Sequence, residues 1–348
     1  MAHEIDMKKY KIRTDMIVES FDKTKNITGI NHTILQDGNN DNITVEKTII
    51  DDIGAEACGK KKGIYQTISF NDITDKDNQK SLEDVLINVL KDFLKEKEIS
   101  EDSSCLVIGL GNKDSTPDSL GPLVVSDVLV TKYLFNLGDV EDGYREVASF
   151  IPGVTGTTGI ETKKVIDALI DATNPDFIIV IDALASSSMA RVNKTIQLTD
   201  TGIHPGSGVG NNREELSEES LKIPVIAIGV PTIVDAVTIV SDTFKYILKH
   251  FSYKIENIDN NKLKLVPNPN YINHQENLSK EEKESLLGMV GGLSEDEMKQ
   301  LLTEVLSPID YNLMVTPKEV DFVMKKLSSV ISRSINKSLH EKYNSTNL

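Results

Sequence analysis

Residues 176–184 read DFIIVIDAL, and this stretch decides the fold class. Phe177 to Ile181 run without a polar interruption, and four of the five are β-branched. Such side chains fit a pleated strand, and a run lacking polar alternation needs cover on both faces. Pro175 opens the strand and Asp182 stands where the apolar run ends. Similar runs recur in SCLVIGL (104–110), REVASFI (145–151) and IPVIAIGV (223–230). Helical patterns separate them: DSLGPLVVSDVLVTKYLF (118–135), ETKKVIDALIDAT (161–173) and IVDAVTIVSDTFKYILKHF (233–251). Strands alternating with helices pair in parallel. The sequence therefore predicts an α/β fold, a doubly wound and mostly parallel sheet with helices on both faces.

Four segments follow. Residues 1–15 form a polar leader, and 16–80 a β-rich segment carrying the alternating stretches ITVEKTII and GIYQTISF. Residues 81–255 are the α/β core, entered by a helix with Ser81 as N-cap and Leu82, Val85, Leu86, Val89, Leu90 and Leu94 along one face. Residues 256–348 hold a charged, glycine-interrupted and mobile helical pair near 279–308, then an amphipathic helix with Thr316 and Pro317 at its start.

Composition narrows the function. Of 348 residues, 39% are hydrophobic, enough for a core, and 54 acids against 38 Lys and Arg give a net charge of −16. That acidity argues against nucleic acid as a direct ligand, since phosphate binding needs clustered cations. Cys58 and Cys105 match no metal or redox spacing. No apolar run approaches a membrane span or a signal core, so a soluble, reducing, intracellular setting is expected.

Three glycine-rich blocks follow strand candidates: GLGNKDSTPDSLGP (109–122), IPGVTGTTGIET (151–162) and DTGIHPGSGVGNNR (200–213). In open α/β sheets ligands bind beyond the carboxyl ends of the strands, where all three blocks should gather. A dinucleotide site is disfavoured, because Gly109 and Gly111 are followed by Asp114 at the third fingerprint position. Asp118, after Pro117, suits an N-cap, whereas Asp182 needs donors or water to stay charged. If both meet at one sheet edge, they can share a proton, one activating water as base and the other donating as acid. His204 reads equally as a loop imidazole or a ligand, and Ser186, Ser187 and Ser188 lack a nucleophile elbow. Lys163, Lys164, Arg191 and Arg213 flank the blocks and could hold acidic substrate side chains.

Read together, GLGN…TPDSLGP, IPGVTGTTGIET, DALASSS, DTGIHPGSGVGNNR and IAIGVPTIVDAVTI resemble the signature stretches of the germination protease family of endospore-forming bacteria, over about residues 8–252. The resemblance implies a cofactor-independent intracellular peptidase of the forespore and spore core, with a fold like hydrogenase maturation endopeptidases. It implies small acid-soluble spore proteins as substrates, a homotetramer, and a zymogen activated by loss of a short propeptide. Asp118 and Asp182 match the positions of that family's two proposed catalytic aspartates. Family substrates are cut after an acid, before a small apolar run closed by another acid. RTDMIVES (13–20) has that shape, placing the cut between Asp15 and Met16, with Glu19 closing the run. Where the family commonly has Arg after DALA, this chain has serines, so Arg191, Arg213 or Lys163 would have to read substrate acids. Two other readings are a metal-dependent endopeptidase with Asp118 and Asp182 as ligands, and a catalytically silent spore-protein binder.

Overall fold

The computed structural model describes residues 14–21, 26–36, 43–138, 140–206, 213–257, 271, 274–306 and 313–343. In chain order the elements are β1 (Ile30–Gln36), β2 (Ile43–Ile50), α1 (Asp52–Cys58), β3 (Gly63–Phe70), α2 (Lys76–Glu96), β4 (Cys105–Gly109), α3 (Leu120–Ser126), α4 (Lys132–Leu137), β5 (Val147–Phe150), α5 (Thr155–Thr158), α6 (Thr162–Thr173), β6 (Phe177–Ser186), β7 (Thr195–Thr199), α7 (Glu218–Leu221), β8 (Val225–Asp235), α8 (Ala236–Glu256), α9 (Lys280–Leu287), α10 (Glu295–Leu306), β9 (Met314–Val315) and α11 (Val320–Leu339).

Of the described residues, 14–186, 190–233 and 316–343 group as one compact unit. Its sheet runs β1-β2-β3-β7-β8-β6-β4-β5. The sheet is mixed: β4 lies parallel to β5 and β6, while β1, β2, β3, β7 and β8 pair antiparallel in succession. The β-rich segment is thus continuous with the α/β half, joined through β3 on β7. Strand β7 (TIQLT) is short and leads directly into the glycine block at 200–213.

Alternate residues of β6 face opposite layers. Phe177, Ile179 and Ile181 enter a core with Leu82, Leu86 and Phe93 of α2, Leu120 and Val124 of α3, and Met324, Leu327, Ile331 and Ile335 of α11. Ile178 and Val180 enter a second core with Leu106, Ile108 and Ile166 of α6. Helices therefore cover both faces, as the uninterrupted apolar run requires.

Several boundaries differ from the sequence expectation. Helix α2 begins five residues before Ser81, because the Asp75 carboxylate accepts from the backbone of Asp77 (2.9 Å) and Asn78 (3.1 Å) and caps it. The long helix expected over 118–135 divides into α3 and α4. Tertiary partners capture the backbone between them: Asn336 Oδ1 accepts from Leu129 N (2.9 Å), Asn336 Nδ2 donates to Asp127 O (3.0 Å), and Val147 O accepts from Thr131 N (3.0 Å). The helix expected from Thr316 starts at Val320, while Thr316 Oγ1 donates to Thr232 O at 2.8 Å. Its buried face places α11 against α2, with Arg333 and Lys337 on Glu83 at 2.6 and 2.7 Å, so its packing groups it with the sheet.

The described residues of 187–189 and 234–315 form a second unit. Here Asp235 caps α8 through Thr238 N (2.7 Å), Lys245 of α8 pairs with Glu295 of α10 (3.0 Å), and Val234 and Asp235 pair antiparallel with Val315 and Met314.

In the first unit, Gly121 packs the start of α3 onto β4 and β6. A Cβ there would stand 2.3 Å from Leu110 O and 2.7 Å from Ile181 O, both backbone atoms with little room to yield. Gly121→Ala is expected to destabilise the fold by about 1–3 kcal/mol. A urea unfolding curve should show the lowered midpoint; an unchanged one would mean that α3 can withdraw without loss.

Candidate active site

Strand β6 continues to Ser186, so Asp182 does not end it. It is instead the first residue beyond the last β4 pairing, Gly109 with Ile181. It is only 6% exposed, and its Oδ1 accepts from Ala183 N at 2.9 Å. Burial pushes the Asp182 carboxyl well above the usual carboxylate range, and the charges of Asp118 and then Asp15 push it further; the Ala183 hydrogen bond and Arg213 pull the other way.

Asp118 is not the N-cap of α3. It closes a 3-10 turn, Thr116–Asp118, and Ser119 precedes α3 without a side-chain cap. Asn112 N donates to both Asp118 Oδ2 (2.9 Å) and Asp118 O (3.0 Å), and Thr232 Oγ1 donates to Pro117 O (2.7 Å). Gly111, at φ +109°, passes so close that a Cβ would lie 2.1 Å from Asp118 O. Only glycine accepts both that conformation and that approach. Burial also raises the Asp118 carboxyl, opposed by Asn112 and Arg213. Two neighbouring carboxyls whose pKa values are both raised, and whose charges repel, suit a single shared proton.

Around this pair, the stretch Thr14–Glu19, which joins the end of the leader to the β-rich segment, is held residue by residue. Asp15 N donates to Ala185 O at 3.0 Å, and Ala185 N returns a bond to Asp15 Oδ2 at 2.8 Å. Gln197 on β7 spans Met16: its Nε2 donates to Asp15 O (3.2 Å), and its Oε1 accepts from Ile17 N (2.7 Å). Met16, Ile17 and Val18 are buried with Ile50, Tyr65 and Leu184. Each buried side chain of this kind contributes roughly 1.5–3 kcal/mol. A 3-10 turn over Ile17–Glu19 then brings Glu19 to Ser186 Oγ (2.5 Å) and Arg191 Nε (3.3 Å), and its other oxygen accepts from Thr14 Oγ1. Lys60 Nζ donates to Thr14 O at 2.7 Å. Burial lowers the Lys60 ammonium, while the charges of Asp15 and then, after Cys58, Glu19 act to raise it.

Of the residues singled out in the sequence, Asp118, Asp182, Asp15, Met16, Arg191 and Arg213 come together. Lys163 does not join them: on α6 it pairs with Asp167, 2.7 Å away and one turn on. His204 pairs with Glu215 at 3.4 Å rather than with the aspartates. The block at 151–162 hydrogen-bonds within itself, Thr157 and Thr158 Oγ1 both donating to Val154 O. Among the described residues, no three His, Cys, Asp or Glu side chains gather in a group that could hold a metal ion. Sequence reasoning missed Lys60 and Gln197. The lysine sits in a KKK run that reads as solvated surface, whereas an amide inside TIQLT was a usable sign. Ser186 meets the acid itself, which bears on the arginine missing after DALA.

An α/β sheet in which a strand covered on both faces brings a buried carboxylate beside a second one defines the structural class. The family model described as germination protease matches residues 11–348. The germination protease of Bacillus cytotoxicus is 45% identical over 361 aligned positions, which cover 100% of this chain and 98% of that protein. That of Priestia megaterium is 43% identical over 364 positions, with the same coverage. A [NiFe] hydrogenase maturation protease, HycI from Thermococcus kodakarensis, is similar over 41% of this chain and 80% of its own, at 20% identity and a TM-score of 0.28. The chain belongs to the germination protease family and is a peptidase. No helix among the described residues is long and apolar enough to cross a membrane.

The raised Asp182 carboxyl gives a pH-dependent test. Below the usual carboxylate pKa, Asp182 is neutral both folded and unfolded, and burial adds no electrostatic penalty. Above it the unfolded chain releases the proton first, so native stability falls as pH rises towards the raised value. Asp182→Asn removes that dependence while keeping an acceptor for Ala183 N. The variant should match the wild type near pH 3 and gain on it by up to about 1 kcal/mol per pH unit above the usual carboxylate pKa, before levelling off. Thermal midpoints measured across pH would show this; a variant less stable at pH 7 would overturn it.

Proposed function

We propose that this peptidase is an aspartate-using endopeptidase that begins the degradation of small acid-soluble spore proteins during germination. It is made as a zymogen in the cytoplasm of the forespore and spore core, assembles as a homotetramer, and processes itself between Asp15 and Met16. The observation that carries the reading is the seating of the leader. An acid, a buried apolar triplet and a second acid each have their own partners: Ala185 for Asp15, Ile50, Tyr65 and Leu184 for the triplet, and Ser186 with Arg191 for Glu19. A spore protein with acids flanking a small apolar run would use the same contacts, with Lys60 adding positive charge near both acids.

In the proposed reaction the ionised member of the Asp118–Asp182 pair takes a proton from water, which attacks the carbonyl carbon of the bond. The protonated member gives its proton to the leaving amine. Arg213 moderates the charge of the pair.

Incubating protein 16–348 with a spore protein carrying Glu-Ile-Ala-Ser-Glu should give cleavage after the first acid, at equal rates with and without a chelator. Chelator-sensitive cleavage would favour a metal-dependent enzyme, and no cleavage a binding protein. Asp118→Asn and Asp182→Asn should each lower turnover by about 10²–10⁴.

In the full chain, Asp15→Ala and Asp118→Asn should each block self-processing. The N-terminus of matured wild-type protein should read Met-Ile-Val-Glu-Ser; a ragged start would separate the leader from the substrate. Light scattering should give a mass near four times 38.5 kDa, and a monomeric mass over a wide concentration range would remove the tetramer.

A further inference from the structure

The carboxamide of Gln197 spans Met16, meeting the Asp15 carbonyl before it and the Ile17 N–H after it. An oxygen alone can accept from Ile17 N–H, and an NH2 alone can donate to the Asp15 carbonyl, so the two contacts together fix which way the amide points. Asp15 O and Ile17 N lie on the same side of the backbone around Met16, which is extended at φ −79°, ψ 124°. One side chain thus meets the two backbone groups that a neighbouring strand would pair, one on each side of the Asp15–Met16 bond.

Gln197 is itself only 5% exposed, in a strand where its neighbours Ile196 and Leu198 are fully buried. Its backbone is fixed by pairing with Thr67 on one side and Gly229 on the other. A buried amide in such a run needs polar partners. Its side-chain partners here are the two backbone groups of the leader.

We propose that Gln197 is a catalytic residue whose Nε2–H stabilises the oxyanion formed on the carbonyl cut by the enzyme; this rests on the reading of Asp15–Met16 as the substrate bond. When water attacks the Asp15 carbonyl carbon, a C–O bond forms and the carbonyl π electrons move onto oxygen. The proton lost by water goes to the ionised carboxylate. Collapse of the oxyanion restores the carbonyl and breaks the C–N bond, while the amine of Met16 takes a proton from the protonated carboxyl. Oxygen gains negative charge only in between, so a donor already aimed at it favours the transition state over the ground state. The 3.2 Å ground-state contact has room to shorten as that charge develops. The second contact holds Ile17 and keeps the bond in register.

The test follows self-processing of the full chain from pH 4 to 8, each variant taken as a ratio to wild type. Gln197→Glu keeps the shape and the acceptor for Ile17 N–H, but its carboxylate has no proton to donate. At pH 8 it should process about 10²–10³ more slowly than wild type, recovering as the introduced carboxyl becomes protonated on acidification. Gln197→Met fills the same volume with no donor and should stay slow at every pH. Equal losses in both variants at all pH values would make Gln197 a packing residue, and wild-type rates in either would also overturn the proposal. If the Met variant does not fold, the pH dependence of the Glu variant decides. A wild-type chain that is not cut between Asp15 and Met16, or an Asp182→Asn chain cut as fast as wild type, would remove the underlying reading. Normal cutting with unaffected Gln197 variants removes only this inference.

Discussion

A carboxylate held in a strand covered on both faces is the constraint on which the rest of this structure depends. Asp182 follows five apolar residues that alternate between two cores, and the Ala183 backbone meets one of its oxygens. In that position ionisation is unfavourable, and the neighbouring elements are arranged around the consequence. Gly121 lets α3 lie against the backbone of β6, which carries the Thr116–Asp118 turn in towards it. Gly111 lets the preceding loop grip Asp118 through Asn112 N. A native state that holds two carboxyls with raised pKa values gives up stability as pH rises above the usual carboxylate range.

The stretch Asp15–Glu19, where the leader meets the β-rich segment, shows how a short segment can be held with few charged groups in a strongly acidic protein. Its apolar triplet is buried, its first acid is met by strand backbone, and its second by a hydroxyl and a guanidinium. Hydrophobic contact alone discriminates weakly between small side chains, whereas polar partners left unmet in a desolvated site reject the wrong ligand strongly. Acids at both ends of a buried triplet combine the two effects. The N-terminal strands take part directly, since Ile50 ends β2 and Tyr65 lies in β3, and both line the space that holds Met16, Ile17 and Val18. The antiparallel half of the sheet is therefore a wall of the leader's binding site as well as an extension of the fold.

The sequence by itself determined the sealed strand at 177–181, the alternation of strands with helices, the two aspartates and the shape of the leader. These are local signals: runs of β-branched residues, 3.6-residue periodicity, and a carboxylate where an apolar residue is expected. Tertiary structure decided what local pattern cannot carry. Asn336, far along the chain, breaks the helix expected over 118–135 by binding the backbone of Asp127 and Leu129. Lys163 and Arg191 looked alike as flanking cations, yet a neighbour one helical turn away takes the first, and chain folding brings the second to Glu19. Gln197 reaches the leader across 182 positions of sequence. Contacts between residues so distant depend on strand order and register, which are set by the packing of the whole sheet.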